Sequence, residues 1–141
     1  MAQNNKTVTV TVDQVKSNQP FGHATISVGG DKPVGLVPNS DAKAAAAVVV
    51  EAKTGVPTSV PGHIAEDNRK PEAQAKIQVT PDQAKAMRAY ITQAEHAKQD
   101  YDPGFRNCAH FAEEVLRSGG VKAPYDMTPG GLVEDLQKQN Q

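Results

Sequence analysis

An α+β fold, a small antiparallel sheet packed against helices, is what this sequence predicts, on three observations. Alternating apolar and polar runs joined by turn residues fill residues 7–37. Amphipathic patterns of helical period dominate from residue 80 onward. The two patterns are segregated along the chain and do not alternate as they would around a parallel sheet.

Residues 7–15, TVTVTVDQV, place Val8, Val10 and Val12 on one side and threonines on the other, the pattern of a half-buried strand. Residues 21–28, FGHATISV, alternate again: Ala24, Ile26 and Val28 face a core, and His23, Thr25 and Ser27 face the opposite side. GGDK is then a turn, and Val34–Val37 return as a third strand. The stretch of about residues 39–75 is expected to be mainly a long loop. Within it, SDAKAAAAVVVEAKTG suits a short helix opened by Ser40 or Asp41 and ended by Gly55, whereas VPTSVPGHIAEDNRKPEAQ is rich in Pro and polar residues. A loop of that length in a small domain is more often functional than ornamental.

KIQV at 76–79 reads as a fourth strand. Thr80-Pro81-Asp82-Gln83 supplies an N-cap, a proline at N1 and a polar residue at N3, so a helix runs from there to about residue 98. YDPGF breaks the pattern. The next helix starts near Asn107 and carries Cys108, Phe111, Ala112, Val115 and Leu116 on one face; Gly119-Gly120 end it with a left-handed cap. Thr128-Pro129 open a last short helix with Leu132, Val133 and Leu136 inward.

A length of 141 residues suits a single domain, 1–141, with a modest core. The net charge of −1 comes without a basic stripe, which argues against a nucleic-acid partner. One cysteine excludes an internal disulfide and a cysteine-rich zinc site. The opening MAQNNKTVTVTV lacks the basic and apolar regions of a secretory signal. The longest apolar stretch, AAAAVVV at 44–50, is too short to span a membrane. The expectation is a chain made in the cytoplasm with no integral membrane segment. Any export would need a machine that does not read an N-terminal signal.

The single cysteine carries the functional question. A lone Cys on the apolar face of a helix is most often a core thiol. Cys108, however, would be the first helical residue after an Asn107 cap, where unpaired N–H groups and the helix dipole favour an anion. A thiolate so placed has its pKa lowered from about 8.5 toward roughly 3.5–7.5 when a cation is also near. The same N–H groups can hold an oxyanion. A catalytic thiol needs a base, and the base needs an orienting group. His23, on the polar side of a strand, fits the base; an exposed strand histidine is the plainer reading. His63 lies in the Pro-rich stretch, His96 late on a solvated helix face, and His110 on a different helix face from Cys108.

GHATISVGG followed much later by NCAHFAEEVLRSGGV resembles the circularly permuted papain-like fold of the permuted NlpC/P60 hydrolases and the lecithin–retinol acyltransferase-like proteins. In that group the catalytic His precedes the Cys, as His23 precedes Cys108. Asn107-Cys108 with His110-Phe111 looks like the N-C-x-H-F form of the acyltransferase-like members. Together with VGLVP, VPGHIAED and ITQAEHAKQDYDPGFRNCAHFAEEVL, the pattern is also similar to a hydrolase domain of bacterial type VI secretion effectors. The resemblance spans roughly residues 20–120. Acyltransferase-like members carry a second His on the strand after the first, and the stretch near Val34–Val37 has none. If that strand supplies the third group, Asn39 or Ser40 at its end are the candidates, with Asn39 favoured. Tyr101 either lines the site, as a Tyr or Gln before the nucleophile does in related enzymes, or packs in the loop. Asp67 either caps a turn or contacts substrate.

The resemblance implies a cysteine hydrolase of amidase or peptidase type. Cys108 is the nucleophile and His23 the base, with no metal or organic cofactor. A secreted antibacterial effector cutting peptide amides of peptidoglycan would have an immunity protein and a secretion-machine carrier as partners. The alternatives are a lipid acyl hydrolase or acyltransferase and a non-catalytic binding module.

Overall fold

The computed structural model describes residues 7–15, 23–67, 70–102, 106–124 and 128–139. These form an α+β fold with a six-stranded antiparallel sheet and four helices. The strands are β1 (Val8–Val15), β2 (His23–Val28), β3 (Val34–Pro38), β4 (Val60–Glu66), β5 (Ala73–Val79) and β6 (Gln99–Tyr101). The helices are α1 (Asp41–Thr54), α2 (Pro81–His96), α3 (Cys108–Ser118) and α4 (Pro129–Gln139). The sheet order is β5-β1-β2-β3-β4-β6. Residues 21–22, expected to begin the second strand, and residues 103–105 of YDPGF lie outside the described residues.

The valine alternation of β1 fixes the register. Val12 lies opposite Ile26 on β2 and Ala75 on β5, and Val10 opposite Val28 and Ile77. The period of two puts these side chains on one face. There they join Met87 of α2, Phe111 and Leu116 of α3, and Leu132 and Leu136 of α4 in one core. α3 lies against β2 and β3, and α4 against β5 and β1. Burial of each large side chain contributes about 1.5–3 kcal/mol, so the core decides where α3, and with it Cys108, is held.

The helix ends follow the sequence signals. Ser40 caps α1 by accepting the Lys43 N–H, and Gly55 ends it in the left-handed conformation. Thr80 and Gln83 make a reciprocal capping box on α2, with Pro81 in its first turn. At the end of α3 the left-handed residue is the second of the two glycines, Gly120, while Gly119 has φ −92°.

Two expectations are corrected. The stretch of about residues 39–75 is not mainly loop: besides α1 it holds β4, a strand between β3 and β6, and β5 begins at Ala73. Val-Pro-Gly-His carries turn chemistry locally. Pairing of Leu36 with Ile64 and Val37 with His63 overrides it. Pro61 lies near the start of the strand, and its carbonyl accepts the Asn39 N–H. The second correction concerns the polar side of β2. His23 and Thr25 do not face solvent; each is 1% exposed. The reading of His23 as an exposed strand histidine is therefore set aside.

Truncation of the core beneath α3 is expected to be costly. Phe111→Ala should lower unfolding free energy by about 3–5 kcal/mol. Val49→Ser, at an exposed site on α1, should change it by less than about 0.5 kcal/mol. Urea unfolding of both variants near neutral pH checks the pair.

Candidate active site

The start of α3 is built by Asn107. Its extended backbone makes it the N-cap, and its side-chain Oδ1 accepts the N–H of Ala109 at 2.9 Å and of His110 at 3.3 Å. His110 closes the loop in return, its Nδ1 accepting the Asn107 N–H at 3.1 Å. Cys108 is thus the first residue of the helix, as its position after an asparagine cap predicts. Its side chain is 2% exposed. The Ala24 N–H donates to Cys108 Sγ at 3.2 Å, across 84 residues of sequence. β2 and β3 pair at Ile26 and Val34; at Ala24 the amide is given to the sulfur.

Two effects compete at the thiol. The backbone N–H groups of Ala24, Ala109 and Cys108 favour the thiolate, but burial opposes it more strongly, and the Cys108 pKa is pushed up to about 11. This corrects the expectation of a lowered pKa. A helix N-terminus stabilises an anion by its N–H groups and dipole, yet removal from water destabilises the same anion, and here that loss is larger. Near neutral pH Cys108 is a thiol, so nucleophilic chemistry at this sulfur requires a proton acceptor beside it.

His23 immediately precedes Ala24, at the first position of β2. Its Nε2 lies 3.3 Å from Asp67 Oδ2. Asp67 follows β4, where its N–H donates to the Pro33 carbonyl at 3.0 Å. The strand between them makes room. A Cβ built on Gly35 of β3 would sit 3.2 Å from His23 Nε2 and 2.7 Å from the Ala24 carbonyl, so the imidazole occupies space that a side chain at residue 35 would need. On the same side of the sheet Thr25 donates to Asp13 Oδ2 at 3.3 Å, and Gln74 donates to Asp13 Oδ1 at 3.3 Å. Burial raises the Asp13 pKa, and the Thr25 bond partly offsets it.

Tyr101, the last residue of β6, is buried close enough to Cys108 for the two to interact electrostatically. Burial, followed by the neighbouring Cys108, Asp41 and Asp102, holds its pKa far above the usual phenol value. Tyr101 is therefore a protonated phenol in the neighbourhood of Cys108. Asn39 is placed differently: just after β3, its side chain meets His63 Nδ1 of β4 at an exposed position, while the carboxylate beside His23 is Asp67. His96, at the end of α2, is exposed and bonded to the Thr92 carbonyl. Ser40 is engaged as the α1 cap. Sequence reasoning missed the Ala24 amide, which no side-chain pattern reveals. It also missed Gly35, for which a signal existed, since glycine inside a strand marks a close approach.

Comparison with protein-family models, with curated proteins and with solved structures finds no significant match to this chain. Among the described residues no helix is long and apolar enough to cross a membrane. Among them there is also no group of three or more His, Cys, Asp or Glu side chains that could hold a metal ion.

The raised thiol pKa gives a signed expectation. The folded chain keeps its Cys108 proton above the ordinary value of 9.0, up to about 11. The group's contribution to stability is therefore complete below about pH 9 and is lost as pH rises through about 11. Between those limits the unfolding free energy of the wild type should fall more steeply than that of Cys108→Ser. Parallel curves in the two proteins would show that the thiol is not held in this way.

Proposed function

We propose that the chain is a cysteine hydrolase with a permuted papain-like arrangement. Cys108 is the nucleophile, His23 the base and Asp67 the group that orients His23. One observation carries the reading: the only cysteine, first in its helix, rests its sulfur on the amide next to a buried histidine that is itself paired with a carboxylate. His23 takes the thiol proton as Sγ attacks an acyl carbon. The tetrahedral oxyanion is received by the Cys108 backbone N–H and a neighbouring donor, for which Tyr101 is the protonated candidate. His23 then returns the proton to the leaving group, and water hydrolyses the thioester. Within this reading Asp67 takes the orienting place for which Asn39 was the sequence candidate, because Asn39 is engaged with His63.

The substrate we infer is a peptide amide of bacterial cell wall, and the biological setting a toxin delivered by a secretion machine and neutralised by an immunity protein. The support is the likeness of GHATISVGG, VPGHIAED and NCAHFAEEVL to effector hydrolase domains. Periplasmic expression should lyse bacteria, cytoplasmic expression should not, and Cys108→Ala should abolish lysis. Release of fatty acid from phospholipid vesicles without wall cleavage would replace this substrate by a lipid ester. A Cys108 that resists alkylation until the protein unfolds would sink the enzyme reading altogether.

Variants around His23 sharpen the test. His23→Ala should lower turnover by about a hundred- to ten-thousand-fold, the usual worth of a general base. Asp67→Asn should lower it less. Gly35→Ala should lower it by displacing the imidazole, whereas Gly30→Ala, with open space around the added methyl, should not. Equal effects of the two alanine substitutions would remove the role given to Gly35.

A further inference from the structure

The histidine of the N-C-x-H signature takes no part in the chemistry above, yet it touches the element that presents the sulfur. We propose that the neutral imidazole of His110 is a positioning group for the nucleophile: it closes the cap of α3 and so keeps Cys108 Sγ on the Ala24 N–H. Its catalytic consequence rests on the hydrolase reading; its geometry does not.

The cap is reciprocal. Asn107 gives its N–H to His110 Nδ1 and takes the N–H groups of Ala109 and His110 on its Oδ1. Cys108 is the residue enclosed between the two halves, so the cap fixes the backbone from which Sγ projects. Position N3 of such a box is ordinarily Glu or Gln. A glutamate here would set a negative charge within one turn of the sulfur and disfavour the thiolate further. Neutral histidine supplies the acceptor without that charge. An accepting Nδ1 requires the proton on Nε2, and a protonated ring has no acceptor at all.

The surroundings favour the neutral ring. Burial lowers the His110 pKa first; Glu114 on α3 and Asp102 pull it up, while Arg106 and Arg117 push it down, and the net shift is downward. Tyr90 of α2 faces the same cluster, donating to Glu114 Oε1 at 2.7 Å, with its own pKa pushed up to about 12. Arg106 reaches the same carboxylate oxygen at 2.9 Å. The cap is therefore closed near neutral pH and opens when acid protonates His110.

Three measurements test this. Long-range proton–nitrogen NMR of the wild type near neutral pH should show His110 as the Nε2–H tautomer; the Nδ1–H tautomer would overturn the proposal. Hydrogen exchange at the Asn107 and Ala24 amides should quicken about five- to tenfold in His110→Ala, the scale of a lost helix cap. His110→Gln, whose side-chain oxygen can take the same N–H, should leave both amides near the wild-type rate. No change in His110→Ala, or equal loss in His110→Gln, would overturn it. On acidification, exchange corrected for its intrinsic pH dependence should rise in the wild type and not in His110→Gln. With p-nitrophenyl acetate as probe, His110→Ala should lower kcat with little change in KM, and His110→Gln should restore it. If the exchange pattern holds while neither the wild type nor any variant turns over ester or cell wall, the cap stands and the hydrolase reading falls.

Discussion

The contact on which the rest depends is the Ala24 N–H resting on Cys108 Sγ. It joins the start of β2 to the start of α3, two points far apart in sequence. Both neighbours must be held for it to exist. The valine register of β1 fixes β2, and the Phe111–Leu116 face of α3 fixes the helix against β2 and β3. The contact also fixes the electrostatics. A sulfur enclosed deeply enough to meet a strand amide is withdrawn from water, and burial then outweighs the three N–H groups that would stabilise its anion. A helix N-terminus is thus not by itself an activating device; its sign depends on how dry the site is.

That competition explains which parts of the fold and site were legible in the sequence. β1 and β2 were readable because they alternate strictly, and α2 because Thr80, Pro81 and Gln83 form a complete start signal. β4 was not readable, since Pro61 and Gly62 signal a turn locally and only pairing with β3 and β6 makes a strand. Cys108 and His23 were singled out from residue type and position. Their state was not, because burial is a tertiary quantity: the thiol pKa moves opposite to what the helix end alone dictates. The carboxylate beside His23 escaped for a related reason. Asn39 is nearer in sequence, but it lies just after β3, where His63 takes it, whereas Asp67 comes back to His23 only through the β3–β4 pairing.

A second constraint is the space at Gly35. In a sheet, side chains of neighbouring strands on one face compete for the same layer. Removal of the side chain at residue 35 lets the His23 ring lie over β3 and come within 3.3 Å of Asp67. At this position β3 contributes an absence, and the polar partner is the residue just after β4.

The same features weigh the core-thiol reading against the nucleophile reading. A structural cysteine is stabilised by apolar contact alone and gains little from an N-cap, a strand amide or a neighbouring imidazole. Cys108 has the first two, and its strand amide belongs to the residue that follows a buried histidine. Burying a histidine and a carboxylate together is also costly, since desolvation of the pair offsets much of its attraction. A fold under no functional demand would sooner fill that layer with the valines and isoleucines that line the opposite face of β1 and β2. Polar groups kept inside at such cost, next in sequence to the amide that meets Cys108 Sγ, are the observation that favours the nucleophile reading.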